Sequence, residues 1–424
     1  MRMTRTLLVV ALLLLPLGVQ AQAQDNSAGS LTPNAAGSQS KGADVLWHEK
    51  APSWGGVVTD MKLLAPKVGW AERGRRLYWT TDNGADWRDI TPPLAKNERL
   101  GKVFFLDSST GWIVIDHPQD PWEKLEFALA STGDAGTTWS RTGISLPLKD
   151  YGLPVGANAG GGAHPIADGG INAIVFADRL HGWLSAGFHG QTMNLWFGLL
   201  LLTSDGGRTW NQAANAPELT NVQMLLINPS EKWLYGGEVL DVNHLYVTRD
   251  GARNWQEVAP NIPGSLYNEV RGLPVFEDVQ HGFLEVIGPR REDENLISML
   301  ILFKTSDEGR TWKPDRTVSN LDDDAWGKYS SSTIVGSDWI FAAASDDVPV
   351  LTKVSAGASI DGSANADAAR PKYKMIRQIN FTSPTQGWVI TSDGELRSTT
   401  DGGATWTNIS SGPKPHVIHP LYGP

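Results

Sequence analysis

The sequence of 424 residues contains no cysteine. Disulfide bonds, thiolate metal sites and catalysis by a cysteine nucleophile are therefore excluded. The sequence also lacks apolar runs of 18 residues and sustained helical stripes, so we expect neither a helical solenoid nor a membrane-spanning helix in the mature chain. Its net charge of −10 argues against nucleic-acid binding, which needs a basic surface.

The first 43 residues have the composition of an export signal followed by a linker. A positive start with Arg2 and Arg5 precedes an apolar stretch, and Ala21-Gln22-Ala23 supplies the small residues that a signal peptidase needs. We predict a signal peptide over 1–23, a flexible linker over 24–43 and a C-terminal tail over 413–424. The mature protein is then exported to the periplasm or the extracellular space.

One motif, Ser/Thr-x-Asp-x-Gly-x-x-Trp, recurs along the chain. Its aspartate and tryptophan residues are Asp82 and Trp87, Asp134 and Trp139, Asp205 and Trp210, Asp250 and Trp255, Asp307 and Trp312, and Asp401 and Trp406. In a tight hairpin, glycine supplies the positive φ, aspartate accepts backbone N–H groups and the indole ring fills the local core. We therefore expect these residues to be structural.

A second marker, Gly-Trp or a close variant after an apolar stretch, occurs seven times. The sites are Gly69-Trp70, Gly111-Trp112, Gly182-Trp183, Lys232-Trp233, Gly282-Phe283, Asp338-Trp339 and Gly387-Trp388. Short strand-like runs about one repeat apart predict an all-β fold, a seven-bladed β-propeller with four-stranded antiparallel blades over 44–412. We expect ring closure by pairing of Val45–Lys50, or of the first blade's strands, with the strands around Trp406.

The first motif resembles the Asp-box repeats of bacterial neuraminidases. Combined with the Gly-Trp marker, it is similar to the photosystem II assembly/stability factor family of seven-bladed propellers. The resemblance implies a non-catalytic scaffold without cofactor that binds a protein partner on the face opposite the boxes. In that family an arginine patch engages the partner. The candidates here are Arg290 with Arg291 and, in the first blade, Arg73, Arg75 and Arg76.

Long connections of that opposite face carry the candidate binding residues, since loops usually hold a propeller's site. These residues are Asp116, His117, Asp120, Trp122, His164, Asp168, Arg290, Arg291 and Trp326. The plain alternative is that they are solvated loop tips. The spacing of Asp322–Asp324 does not fit an EF-hand calcium loop, and His117, His164 and His189 form a metal site only if the fold brings them together, so no metal site is predicted.

Two further functions stay open. A glycoside hydrolase of the sialidase type needs a tyrosine nucleophile paired with a glutamate, and one of the xyloglucanase type needs two facing carboxylates. No tyrosine can be assigned, and Arg271-Gly272-Leu273-Pro274 only loosely matches the sialidase arginine motif. Alternatively, Trp122, Trp196 and Trp326 bind a polysaccharide by stacking.

Overall fold

The computed structural model describes residues 49–50, 57–117, 123–153, 166–190, 196–217, 219, 222–228, 230–237, 243–263, 265, 268–292, 295–321, 331–335, 338–345, 348–354, 359–361, 376–391 and 393–409. They all belong to the compact unit Lys41–Pro424. The predicted signal peptide, linker and C-terminal tail lie outside the described residues.

Strands dominate the described chain, as its β-branched and aromatic runs favour. Blade one consists of β1 Glu49–Lys50, β2 Val58–Ala65, β3 Val68–Arg73, β4 Arg76–Thr80 and β5 Asp86–Asp89. Blade two consists of β6 Arg99–Phe105, β7 Gly111–Asp116, β8 Lys124–Thr132 and β9 Ser140–Pro147, with a short 3-10 helix at Leu148–Tyr151. Blade three consists of β10 Ile166–Phe176, β11 Gly182–Gly190, β12 Trp196–Thr203 and β13 Asn211–Gln212.

The second half of the chain continues the same meander. Blade four consists of β14 Gln223–Leu226, β15 Lys232–Gly236, β16 His244–Thr248 and β17 Gln256–Glu257. Blade five consists of β18 Glu269–Val270, β19 Val275–Phe276, β20 Gly282–Glu292, β21 Asn295–Thr305 and β22 Lys313–Leu321. A smaller sheet consists of β23 Ser331–Val335, β24 Asp338–Ser345 and β25 Val348–Val354, followed by β26 Ser359–Asp361. Blade six consists of β27 Ile376–Phe381, β28 Gly387–Thr391, β29 Leu396–Thr399 and β30 Thr407–Asn408.

The protein is an all-β propeller with four-stranded antiparallel blades, but the prediction of seven blades is wrong: it has six. The unit predicted at Asp338-Trp339 forms a sheet of three strands among the described residues. The next described strand after β25 is β26, which pairs in parallel with β22, on the outer edge of blade five. The buried guanidinium of Arg316 donates to the carbonyl of Val354 (3.0 Å) where β25 ends. The Gly-Trp marker therefore counts sheets and not complete blades.

The glycine of the Gly-Trp marker lies beneath an aromatic ring of the neighbouring strand. Gly111 is the cross-strand partner of Phe105, and a Cβ at residue 111 would lie 2.5 Å from that ring. The pairs Gly182 with Phe176, Gly282 with Phe276 and Gly387 with Phe381 have the same geometry. Lys232 takes the glycine position in blade four, where its partner is Leu226. Glycine is thus required where the inner strand presents a phenyl ring.

Each blade has one hairpin of the Thr-x-Asp type between its third and fourth strands, which we call the Thr-Asp turn. In all six, the threonine hydroxyl donates to the aspartate Oδ1 at 2.7–2.9 Å and accepts the N–H four residues after it at 2.8–2.9 Å. The two residues after each aspartate have positive φ. These residues are Asn83 and Gly84, Ala135 and Gly136, Gly206 and Gly207, Gly251 and Ala252, Glu308 and Gly309, and Gly402 and Gly403.

The two sequence markers touch each other in every blade. A backbone N–H of the Thr-Asp turn donates to a carbonyl of the turn between the first and second strands, as Gly206 does to Leu180 at 2.9 Å. The five equivalent bonds span 2.8–3.1 Å. The tryptophan that ends the turn packs between sheets: Trp139 of blade two donates from Nε1 to the carbonyl of Ile90 in blade one (2.9 Å). The markers recur together because each stabilises the other.

Among the described residues, the ring closes without the strand pairing that we predicted between the chain ends. β1 pairs with β5 of its own blade, and every described strand of blade six comes from the C-terminal stretch after residue 375. One backbone hydrogen bond, from the Val58 N–H to the Gly394 carbonyl (3.0 Å), and several side chains join blades one and six. Asn380 accepts the N–H of Leu63 (2.7 Å), and Trp388 donates from Nε1 to Asn83 (2.7 Å). Two sheets that share no strand therefore form the closing interface.

Candidate functional site

Each blade has two ends that differ in what they carry. The Thr-Asp turns and the turns between first and second strands meet at one end, which we call the turn face. The hairpins between second and third strands, and the connections between blades, lie at the other end, which we call the loop face. Since the turn face repeats the same hydrogen bonds, the loop face is where the blades differ and a site can form.

The structure describes part of the predicted site, all on the loop face. Asp116 ends β7 and His117 follows it. Asp168, near the start of β10, lies 3.6 Å from Nδ1 of His189. Arg290 and Arg291 lie in β20 near its hairpin, where only their backbone is described. Four other predicted residues lie outside the described residues: Asp120, Trp122, His164 and Trp326.

Five charged residues of blades one and two, Asp60, Glu72, Arg99, Lys102 and Asp116, form what we call the mouth cluster. Asp60 stands opposite Glu72 in the β2–β3 pairing, and Arg99 stands opposite Asp116 in the β6–β7 pairing. All of these strands are the inner two of their blades. Because inner strands surround the channel of a propeller, the cluster lies at the channel opening on the loop face.

Glu72 is the member of the mouth cluster that changes charge near neutral pH. Burial, and after it the nearby Asp60 carboxylate, raise the pKa of its carboxyl to about 7. A hydrogen bond from Thr59 and the charge of Lys102 act in the opposite direction. Asp60 itself accepts from Gln378 Nε2 of blade six (3.0 Å), which fixes its carboxylate at the ring closure.

Asp116 is a second carboxyl group whose pKa the charge of Lys102 affects. Burial raises the pKa of its carboxyl, against the charges of Arg99, Lys102 and His117. The Arg99 Nε lies 3.5 Å from the Asp116 carboxylate. A Cβ at Gly101 would lie 2.9 Å from Asp116 Oδ1, so the carboxylate occupies space that only glycine leaves. The position of Asp116 is therefore built into the backbone beside it.

An ion pair between the buried carboxylate of Glu98 and the partly exposed guanidinium of Arg141 lies beside the cluster. The Glu98 carboxylate accepts from the guanidinium of Arg141, with one contact at 2.9 Å, and lies 3.5 Å from Nδ1 of His117. The hydrogen bonds from Arg141 lower the pKa of Glu98 to about 2, although burial acts against them. Glu98 thus stays ionised at any ordinary pH and holds His117 next to Asp116.

Irregular strand pairing sets where these side chains lie. The β6–β7 register shifts between Leu100 and Val103, around Gly101 and Lys102. The inner strands of three other blades shift at the same end, around Thr59, Asn172 and Arg377. Bulges redirect side chains and are frequent beside functional sites. Four of the six blades thus bend their inner strand at the loop-face end.

Two arginines form the exposed rim of the mouth cluster. The Arg76 side chain is 63% exposed and pairs with Asp89, and the Arg99 side chain is 75% exposed and contacts Asp116. Both arginines are the first residues of their strands. Surface ion pairs of this kind contribute at most about 1 kcal/mol, so an incoming carboxylate can share these guanidinium groups at small cost.

A second polar group lies on the loop face between blades four and five. Tyr235, Asn243, Glu269 and Arg271 interact there: Asn243 Nδ2 donates to Glu269 (3.3 Å) and bonds the Tyr235 hydroxyl. Burial and the Glu269 charge raise the pKa of Tyr235 to about 12, against the charge of Arg271. Nearby, Glu285 accepts from Trp339 Nε1 (2.5 Å) of the smaller sheet.

The sequence did not reveal most of these residues. Asp60, Glu72 and Lys102 lie on strands, outside the loops that the sequence favoured, and the register shifts that aim them have no motif. A usable signal was the charged string from Glu72 to Arg76 directly after the Gly69-Trp70 marker. Among the described residues, no three His, Cys, Asp or Glu side chains are grouped to hold a metal ion. Nor does that part of the chain contain a helix long and apolar enough to cross a membrane.

Comparison with known proteins gives structural matches alone. No family model matches the sequence, and no curated protein matches it. A structure of YCF48, a photosystem II assembly factor, bound to a D1 peptide is 17% identical with a TM-score of 0.46, covering 81% of this chain and 93% of that one. YCF48 from Cyanidioschyzon merolae is 14% identical with a TM-score of 0.35, covering 82% and 97%. A Trypanosoma rangeli sialidase mutant is 12% identical with a TM-score of 0.35, covering 74% and 58%.

Proposed function

We propose that this protein is an exported, non-catalytic scaffold that docks an acidic segment of a protein partner on the loop face of blades one and two. The observation that carries the proposal is the pair of exposed rim arginines, Arg76 and Arg99, held by Asp89 and Asp116 above the mouth cluster. Arginine presents a rigid fork of donors that fits carboxylates.

The arrangement suits docking because the arginines are already oriented. Each side chain is tied to a carboxylate of its own blade, so less rotamer freedom is lost when a partner binds. Arg75 adds a third guanidinium on the same hairpin, donating to the backbone carbonyls of Glu98 and of Lys96 (3.4 Å). That contact joins the hairpin of blade one to blade two and holds both rim arginines on one platform.

Binding of a labelled hexaglutamate peptide, followed by fluorescence anisotropy, tests the proposal. We expect Arg76→Ala and Arg99→Ala each to weaken binding about tenfold, as loss of a charge-assisted contact does. Arg253→Ala is the matched control, since Arg253 is exposed on the turn face. Equal loss in the control, or no loss at the rim, contradicts docking at this site.

The family resemblance gave two candidate arginine patches, and the one in blade five is tested in the same assay. Arg290 and Arg291 lie near the β20–β21 hairpin of blade five, on the loop face but three blades away from blade two. Charge reversal of both residues leaves hexaglutamate binding unchanged if the rim arginines are the docking groups. If charge reversal of Arg290 and Arg291 weakens hexaglutamate binding while the Arg76 and Arg99 variants bind normally, the docking site is in blade five.

A glycoside hydrolase is the second candidate, favoured by the electrostatic interaction of Tyr235 with Glu269 and Arg271. A phenol beside a carboxylate base can act as a nucleophile. The test is hydrolysis of chromogenic glycosides by the wild type and two variants. Loss of hydrolysis in Tyr235→Phe establishes this activity if Tyr246→Phe, which changes a tyrosine of the next strand, keeps it. Absence of turnover in the wild type removes the candidate for the glycosides used.

A further inference from the structure

The sequence contains a single Asn-Gly pair, Asn83-Gly84, and the pair lies in the Thr-Asp turn of blade one. Asn83 has a φ of 64° and Gly84 has a φ of 85°. These are the two positive-φ positions of the turn, which the other five turns fill with glycine, alanine or glutamate. Asparagine adopts this conformation more readily than most residues. The backbone of the turn therefore explains why an asparagine can precede the glycine here.

Asn83-Gly84 also belongs to the closing interface between blades one and six. The Asn83 Oδ1 accepts the indole N–H of the buried Trp388 (2.7 Å). Because an indole nitrogen only donates, this contact identifies the amide oxygen of Asn83. Gly84 is buried, and a Cβ added to it would lie 2.6 Å from Cδ1 of Ile409, which follows β30 of blade six. The turn and blade six therefore hold each other in place.

An asparagine followed by glycine reacts with its own backbone when the chain is free to move. The glycine nitrogen loses its proton to hydroxide and attacks Cγ of the asparagine; a C–N bond forms and ammonia leaves. Water then opens the succinimide ring at either carbonyl, which gives aspartate or isoaspartate. Here the Gly84 N–H donates to Thr80 Oγ1 (2.9 Å), and the Asn83 N–H donates to the Lys67 carbonyl (2.9 Å). Since the attacking nitrogen and the amide are both held, the reaction requires the turn to open.

We infer that Asn83 is a latent deamidation site, which reacts when the closing interface opens and whose isoaspartate product keeps that interface from re-forming. Isoaspartate adds a methylene group to the main chain between residues 83 and 84. The Gly84 N–H then loses its regular spacing from Thr80, and the positive-φ pair that places Gly84 against Ile409 is lost. Aspartate, the other product, keeps the backbone and an oxygen for Trp388. The inference is independent of the docking proposal.

The rate of deamidation at Asn83 in the folded protein tests the inference. The protein is kept in mildly alkaline buffer, and peptide mass spectrometry measures aspartate and isoaspartate at residue 83. We expect Thr80→Val to speed the reaction about tenfold, because a turn that loses one hydrogen bond opens more often. Trp388→Phe, which removes the indole donor, also speeds it. Thr203→Val is the matched control, since it makes the same change in a turn that carries Gly206-Gly207, and it leaves the rate at Asn83 unchanged.

Three results of this experiment overturn the inference. A wild-type rate equal to that of the urea-unfolded chain shows that the fold does not protect Asn83. Equal rates for Thr80→Val and Thr203→Val remove the link to the turn of blade one. A slower reaction in Trp388→Phe shows that the indole N–H activates the amide and does not hold it back.

The stability of the product tests the second half of the inference. The isoaspartate form of the wild type is separated by ion exchange and compared with Asn83→Asp, which carries the same charge on a normal backbone. We expect a lower thermal midpoint for the isoaspartate form, because only this form loses the geometry of the turn. Equal midpoints contradict a lasting effect on the closing interface.

Discussion

The turn face and the loop face are built from the same strands but differ in how much their contacts repeat from blade to blade. On the turn face, six Thr-Asp turns repeat the same hydrogen bonds, with the same two positive-φ residues after each aspartate. On the loop face, blades one and two present a mixed-charge cluster, and blades four and five present a tyrosine with a glutamate. Repetition at one end thus holds the blades together, while variation at the other end is available for recognition.

The strongest way to break the turn face is to remove one of its tryptophans. Trp210 is buried, donates from Nε1 to the carbonyl of Gly207 (3.1 Å) and packs edge-on against Phe176. We expect Trp210→Ala to lower the free energy of unfolding by about 3–5 kcal/mol, as truncation of a large core residue does. Urea denaturation measures it. The folded fraction keeps the hexaglutamate affinity of the wild type; reduced affinity there shows that the two faces are coupled.

A smaller loss is expected from the turn hydroxyl. Thr203 accepts the N–H of Gly207 (2.9 Å) and donates to Asp205 (2.8 Å). Thr203→Val keeps the shape of the side chain but leaves the buried N–H of Gly207 without an acceptor. We expect the free energy of unfolding to fall by about 1–3 kcal/mol. Thr203→Ser restores the hydroxyl and recovers most of the loss. Equal unfolding free energies for the valine and serine variants contradict a role for the hydrogen bonds.

On the loop face, ionisation of Glu72 lowers the free energy of unfolding, because its carboxyl is buried beside Asp60. Its pKa of about 7 in the folded protein exceeds the ordinary value of 4.5, so its stabilising contribution is complete below about pH 4.5 and is lost as the pH rises through 7. Relative to Glu72→Gln, the wild type loses about 1–2 kcal/mol between pH 5 and pH 8, a range reduced for solvent screening. Chemical denaturation at both pH values measures it. A difference that stays constant with pH contradicts the raised pKa.

The smallest expected change in stability concerns the first Thr-Asp turn, which lacks one hydrogen bond that the other five have. The residue four after the aspartate is a threonine or asparagine in five turns, and it donates to the aspartate Oδ2, as Thr209 does to Asp205 (2.7 Å). In the first turn this residue is Asp86, which faces Asp82 and offers only its backbone N–H (2.9 Å). We expect Asp86→Thr to stabilise the protein by about 0.5–1 kcal/mol, measured as a higher thermal midpoint. Asp86→Ala, which removes the charge without adding a donor, separates the two causes.

Much of the architecture was predictable from the sequence. The β-propeller class and the four-stranded antiparallel blade are confirmed. They were predictable because the hydrogen bonds of each turn join residues close in sequence, so the turn appears as a recurring sequence motif. The blade number is wrong, because the Asp338-Trp339 marker specifies a hairpin but cannot show whether a fourth strand follows. The signal peptide, the Asp-box assignment and residues such as Trp122 and Trp326 stay predictions.

The candidate site was much less predictable, for a physical reason. The pairs Asp60–Glu72 and Arg99–Asp116 lie beside register shifts of the inner strands, and a bulge depends on pairing that no short motif records. Tyr235 and Glu269 are 34 residues apart and belong to different blades, so only the folded ring brings them together. Sequence patterns identify what a hairpin does within itself, whereas this site depends on contacts between blades.

The joint between blades one and six has a consequence for biosynthesis. The core of each described blade is one continuous stretch of chain. A nascent polypeptide can therefore form each blade in turn as it is synthesised, and no blade has to wait for a strand from the other end of the chain. The final event is then a docking of two finished sheets through Asn380, Trp388 and their partners. A circularly permuted gene that starts at blade two transfers this joint to a new position and leaves every strand pairing intact.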